Sequence, residues 1–468
     1  MVFSSLEFLF LFLPCILLGY YLVLFKSRNL QNIFLFMGSL LFYAWGEPKI
    51  VFLMLLSIAA NWLLGLGAEK HRGRRHGLKC IYTLSALFNF GLLFIFKYLN
   101  FSFDLAKSLL AFDMEIKQIA LPIGISFFTF QAFSYVIDIG RGRATAQRNP
   151  IYAGLYISFF PQLIAGPIVR YESVASQLEG RHESFEKFSS GVEGFIIGFL
   201  KKVFLANSMA LIADRAFEEN LLSRGLAWLG VLAYALQIYH DFSAYSDMAV
   251  GLGLMFGFHL PENFNYPYLA TSIRDFWRRW HISLGTWFRD YVYIPLGGSR
   301  VKSKARLLFN LLLVWFLTGL WHGADWTFIL WGLYYFLLIA FEKLTDFDEK
   351  LQKLTPLKRF YSLFFVLMGW VLFRAQDLNG ALAYYRAMFG PGVAAFDSNF
   401  WFYLRNFAPS LTAAAIFAFP QPGAFLERAK ATSFPMRLAY AVGLGLLFLF
   451  ALSYVVKGSY NPFIYFNF

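Results

Sequence analysis

The sequence predicts an all-α polytopic integral membrane protein with about 11–12 transmembrane helices, plus re-entrant and interfacial helices around a central funnel or tunnel. Three observations carry that prediction. Hydrophobic residues make up 58% of the 468 positions and charged residues only 15%, against roughly 25% charged in soluble domains. Mean hydropathy is positive, at +0.54. The apolar residues also gather in runs of spanning length separated by short basic loops, the pattern that the bilayer and the positive-inside rule impose together.

Taken in order from the N-terminus, runs near 6–25, 29–46, 49–68, 79–98 and 119–138 each supply one span. The first has no basic region before it and reads as a retained helix rather than a cleaved signal. Basic loops follow alternate spans: Lys26 and Arg28, then 70–79 (KHRGRRHGLK), then Arg141, Arg143 and Arg148. These are assigned to the cytoplasmic side, which leaves the N-terminus outside. From the other end, spans near 437–456, 402–419, 359–374, 324–342 and 305–321 alternate with basic clusters at 428–437, 350–359 and 300–306, and place the C-terminus outside as well. The two walks agree when an even number of crossings lies between 149 and 300.

That middle region, 149–300, is expected to form an irregular core with re-entrant and interfacial helices, since Pro150, Pro161, Pro167, Pro261, Pro267 and Pro295 break it and such backbone survives at membrane depth only inside protein or beside water. Trp277, Arg278, Arg279, Trp280, Trp287, Arg289, Asp290 and Tyr293 suit a helix lying at the interface, with rings in lipid and guanidiniums in water. No linker isolates a soluble domain, so the expectation is one membrane domain over 1–468 ending in an aromatic tail, 459–468. The net charge of +13 is explained mostly by topology, and without a soluble basic domain nucleic-acid binding is not supported. Cys15 and Cys80 lie in or beside apolar runs and suggest neither a disulfide framework nor a thiolate site.

Candidate chemistry centres on His322, in the interrupted apolar stretch 317–332 (LTGLWHGADWTFILWG). An imidazole at membrane depth is costly and usually marks a pathway or reaction centre. Gly323 permits close backbone approach, and Trp321 and Trp326 are expected to wall the site against water. His281, in the aromatic and basic segment FWRRWHISL, is the second candidate, at the inner end of a channel whose outer half holds His322. His71, His76 and His182 fall in polar loops where solvation explains them. His240 belongs to a polar island, HDFSAYSD, whose spacing matches no metal pattern such as HExxH, so no metal is expected and a polar lining is preferred. Gly251, Gly253 and Gly257 follow no soluble strand and do not spell GxGxxG, and no GxSxG elbow is present.

Several segments together resemble the membrane-bound O-acyltransferase superfamily: MVFSSLEFLFLFLP at 1–14, LPIGISFFTFQAFSYVIDI at 121–139, FFPQLIAGPIVRY at 159–171, the block 241–298, the WHG triplet at 321–323 and the ending NPFIYFNF. Within it they resemble the bacterial branch that acetylates alginate, peptidoglycan and cellulose. The resemblance implies that His322 is the catalytic histidine and His281 a second conserved polar position. It implies no permanently bound cofactor, acetyl-CoA as donor from the cytoplasm, a bacterial inner-membrane location, and a separate extracytoplasmic acetyltransferase partner of the SGNH-hydrolase-like kind. Arg274, Arg278, Arg279 and Arg289 gather on the assigned cytoplasmic side, where guanidinium forks could hold CoA phosphates; ordinary topological charge accounts for any one of them equally well. Tyr465 lies within a terminal aromatic motif similar to one in related acylation systems, including a small partner peptide of teichoic-acid D-alanylation, and is expected to carry the acyl group. D-alanyl or lipid acyl transfer, and a non-enzymatic transporter or flippase, remain the alternatives.

Overall fold

The computed structural model describes residues 1–23, 27–110, 118–218, 223–347, 354–458, 460 and 464. Among them every regular element is helical. Seven helices are long and apolar enough to cross a membrane: α3 (Val51–Lys70), α4 (Arg75–Leu110), α8 (Phe185–Glu218), α12 (Lys304–His322), α13 (Trp326–Thr345), α14 (Thr355–Arg374) and α18 (Phe434–Val456). Two shorter apolar helices, α1 (Phe8–Leu22) and α5 (Ile125–Gly140), accompany them. Helices α2 (Arg28–Gly46) and α16 (Ser398–Phe417) complete the ten elements that the apolar runs predict, and α15 (Leu378–Phe389) and α17 (Gln421–Thr432) flank α16 in the chain. Between the two walks lie α6 (Pro150–Ser158), α7 (Tyr171–Gly180), α8, the long α9 (Arg224–Met255), and two short helices, α10 (Ile273–Arg279) and α11 (Ile282–Phe288).

Two compact units divide the chain, 1–195 with 248–261, and 196–247 with 262–468. The first is built on an aromatic core in which Phe8 meets Phe3, Phe12, Phe42 and Phe160 at 5.0–6.3 Å between ring centres. Several of its buried polar groups pair with one another, as a medium without water favours. Asn61 on α3 and Asn89 on α4 exchange side-chain amide hydrogen bonds of 3.0 and 2.7 Å. The buried Arg181 guanidinium donates to the Phe256 carbonyl at 3.0 Å and to Asn32 Oδ1 at 2.7 Å. Glu183 accepts from both Arg28 and Tyr20. Gly251, set aside above as a nucleotide motif, has a packing role: a Cβ there would stand 2.5 Å from the Gly191 carbonyl oxygen, so α8 and α9 touch backbone to backbone.

The second unit carries the site. Ser303 caps α12 by accepting from the Arg306 N–H, and Asp325 caps α13 by accepting from the Thr327 N–H at 2.9 Å, as short polar side chains at helix starts do. Between them Gly323 is extended and brings the chain back. The two helices cross at Gly319 and Gly332, where any Cβ would press on backbone of the opposite helix. A pair of glycines is what lets helices approach this closely where lipid offers no hydrophobic drive for association.

Candidate active site

His322 is the last residue of α12 and is 7% exposed. Because α13 lies so close, the imidazole meets Trp331 edge to face at 5.0 Å, and Phe373 from α14 closes on it at 5.1 Å. With Ile238, Phe242, Trp277, Trp280, Trp370 and Ile464, these residues line a small cavity. Of the two tryptophans expected to wall the site, Trp321 lies against the His322 ring at 5.0 Å, whereas Trp326 is 47% exposed and Trp331 stands in its place; five positions along α13 turn the ring to a different side of the helix. Gly323 stays essential, since a Cβ there would run into the Phe328 ring.

His281 is 2% exposed and sits at the junction of α10 and α11 with φ 45° and ψ 54°. This left-handed backbone costs a non-glycine residue about 1–2 kcal/mol and persists only where the surroundings hold it. Here Asn263 does the holding. Its Oδ1 accepts from the Ser283 N–H at 3.0 Å and the Ser283 hydroxyl at 2.9 Å, and lies 3.2 Å from His281 Nδ1. An oxygen already accepting from two donors assigns the His281 proton to Nδ1 and leaves Nε2 as the basic nitrogen. Burial lowers the His281 pKa to about 3, so the ring is neutral at physiological pH. The two histidines flank one indole: Trp321 is 5.9 Å from the His281 ring and 5.0 Å from the His322 ring.

The break at His281 corrects the expectation of an interfacial helix with its rings in lipid. Trp280 and Trp287 are 3% and 2% exposed. Trp280 packs on Trp370 at 4.9 Å and Phe276 at 5.5 Å, so the left-handed residue folds this segment into protein.

The arginines are largely committed elsewhere. Arg274 faces the fully buried Glu342 at 3.5 Å, Arg279 pairs with Asp275 at 3.0 Å, and Arg289 pairs with Asp290 at 2.7 Å. Arg278 is exposed, and among the described residues no carboxylate pairs with it. Tyr465 lies outside the described residues. Its neighbour Ile464 is described, is 3% exposed and lines the His322 cavity.

Three features escape sequence reasoning. Asn263 had no signal beyond being an amide in a proline-bounded loop. Lys202 lies within the π-helical turn Lys201–Ala206 and forms a buried pair with Asp241 at 2.7 Å; a lysine inside an otherwise apolar run of α8 was the available clue. Trp277 and Trp331 hold buried indole N–H groups that take no hydrogen-bond acceptor among the described residues. Buried indoles usually find a partner, and both of these rings line the His322 cavity. His240 is structural, its Nε2 2.8 Å from the Ala414 carbonyl.

The model of the family described as MBOAT, membrane-bound O-acyltransferase family, matches residues 146–384, which include every candidate residue above except Tyr465. The chain is similar over its full length, and over the full length of the relative, to a probable alginate O-acetylase of Pseudomonas putida at 38% identity. It is 35% identical to the peptidoglycan O-acetyltransferase of Helicobacter pylori, over 83% of this chain and 80% of that one. A teichoic acid D-alanyltransferase of Bacillus subtilis is 30% identical over 55% of this chain and 69% of its own.

Proposed function

The chain belongs to the membrane-bound O-acyltransferase family, and from that footing we propose that it moves acetyl groups from cytoplasmic acetyl-CoA across a bacterial inner membrane to an extracytoplasmic partner that acetylates a polysaccharide. Acyltransferase activity follows from membership; donor, route and acceptor are the proposal. The observation that carries it is a shared cavity. His322 and Ile464 line the same aromatic void, and Ile464 is bonded to Tyr465, so the chain end that carries a phenol begins at the wall of the histidine's chamber.

The chemistry suits those groups. His322 takes the phenol proton as the Tyr465 oxygen attacks the thioester carbonyl carbon. The carbon–sulfur bond breaks, and the proton passes to the departing CoA thiolate. An ester of a phenol, whose ordinary pKa is near 10, stays activated enough for a hydroxyl to take the acetyl group onward and regenerate the tyrosine. The indole N–H groups of Trp277 and Trp331 are the donors best suited to the transient oxyanion. Neutral His281 orients the donor or the proton path through Nε2. The relatives named for alginate and peptidoglycan support a polysaccharide acceptor; an SGNH-hydrolase-like partner outside, with both termini on that side, completes the proposal. Exposed Arg278 is the guanidinium best placed among the four to meet CoA phosphate.

Purified protein in proteoliposomes with labelled acetyl-CoA tests this directly. Intact-mass analysis is expected to find one acetyl group on the wild-type chain and none on Tyr465→Phe. A fully acetylated Tyr465→Phe would remove that residue as carrier. The 30% identity to a D-alanyltransferase makes a D-alanyl carrier protein the second donor to try in the same assay.

A further inference from the structure

Two carboxylates in the second unit share one arrangement. Asp241, 1% exposed at its side chain, has one oxygen 2.7 Å from the Lys202 ammonium, itself 4% exposed, and its other oxygen accepts the Ile464 backbone N–H at 2.9 Å. Asp214 has one oxygen on Arg374 Nη2 at 2.7 Å, while its other oxygen accepts the Tyr460 hydroxyl at 2.5 Å. In each, a cation fixes one side of the carboxylate and the C-terminal tail donates to the other. The two contacts are four residues apart in the tail.

We infer that the Asp241–Lys202 and Asp214–Arg374 pairs are anchors for the C-terminal tail, positioning residues that hold the end of the chain against the His322 cavity. The reading of Tyr465 as acyl carrier supplies the purpose, and the inference rests on it for that alone. A buried ion pair is a poor way to gain stability, because desolvating both ions offsets most of their attraction and an apolar pair of similar volume often does as well. What an apolar pair cannot supply is a directional acceptor. A carboxylate offers acceptor sites on both oxygens, and at Asp241 the Lys202 ammonium stands on one oxygen while the other is left to the tail. The partner in the tail is a backbone N–H, so the anchor holds the chain itself and leaves the side chain of Ile464 on the cavity wall. Successive Cα atoms are about 3.8 Å apart, so fixing residue 464 confines where residue 465 can reach.

The test follows the tail separately from the acetyl group. Cys15 and Cys80 are replaced by Ser, Ile464→Cys is introduced as a reporter, and its reaction with N-ethylmaleimide is timed in membranes. The anchored tail is expected to protect the thiol. Asp241→Leu combined with Lys202→Met removes both charges and the acceptor, and is expected to raise the labelling rate at least about ten-fold, the scale of one hydrogen bond to a charged group. Asp241→Asn with Lys202→Met also removes both charges but keeps an acceptor, and is expected to restore protection. Tyr460→Phe, half exposed and requiring no change of core charge, releases the other anchor and is expected to raise labelling even if the core variants fail to fold. Equal labelling of the Leu and Asn variants, with no effect of Tyr460→Phe, overturns the inference. Acetylation is followed in parallel chains that keep Ile464. A released tail with undiminished acetylation leaves the anchor standing and sinks the acyl-Tyr465 reading; a protected tail whose acetylation needs Tyr465 but not the anchors overturns the positioning role.

Discussion

An imidazole can serve as a base inside a membrane protein only if its neighbours keep bulk water out, and His322 has three aromatic rings against it and a small cavity beside it. Trp331 provides a wall and, in the proposed chemistry, a donor as well, so the two roles can be separated. Trp331→Phe keeps an aromatic ring against His322 but removes the N–H; turnover is expected to fall about 10²- to 10³-fold, as for loss of one oxyanion donor, with little change in KM for acetyl-CoA. An equal loss spread into KM would mean that the ring, not the N–H, is what matters. At this scale the sequence was informative about His322, because a histidine beside glycine and tryptophan in an apolar run is rare enough to stand out. It was silent on Trp331 and Asn263. Their importance comes from contacts between elements, and nothing in the local pattern of a strongly aromatic chain distinguishes the tryptophan that meets a histidine from the one that meets lipid.

Helices α12 and α13 bring the site together because their glycines let the backbones touch. A methyl group at Gly319 would stand 2.5 Å from the Phe328 carbonyl oxygen. Gly319→Ala is therefore expected to cost about 1–3 kcal/mol through overpacking and to displace Trp331 from His322, read as a lowered thermal midpoint together with lost turnover. Gly443→Ala on α18, where a Cβ meets nothing within 4 Å, is the control and is expected to be neutral or mildly stabilising. The ten outer apolar runs were all legible as helices, since a long, mostly apolar run has few alternatives in a bilayer. The segment 273–293 was not. Its charge and aromatic pattern suits a surface helix, yet a left-handed His281 held by Asn263 breaks it in two and turns Trp280 inward. No periodicity argument reaches that result, because the cause lies in a loop eighteen residues upstream.

Over the whole molecule the two units differ in what their buried charges do. In the second, carboxylates hold the tail. In the first, Glu183 accepts from Arg28 and Tyr20, and although burial alone would raise its pKa, those hydrogen bonds prevail and hold it at about 2. A carboxyl whose folded pKa lies below its unfolded value near 4.3 adds stability above that unfolded value and loses it as pH falls towards the folded one. Glu183→Gln is therefore expected to lower the thermal midpoint of the detergent-solubilised protein at pH 7, with the difference from wild type shrinking between about pH 4.3 and 2. A difference independent of pH would remove the charge from the explanation. The central claim concerns the other unit, that His322 is the base which moves acetyl from thioester to acceptor. It is tested most directly by the initial rate of CoA thiol release from acetyl-CoA by His322→Ala in proteoliposomes, compared with wild type at equal folded amount. A loss of about 10²- to 10⁴-fold is predicted, the usual share of a positioned proton-transfer group, and release at the wild-type rate would contradict it.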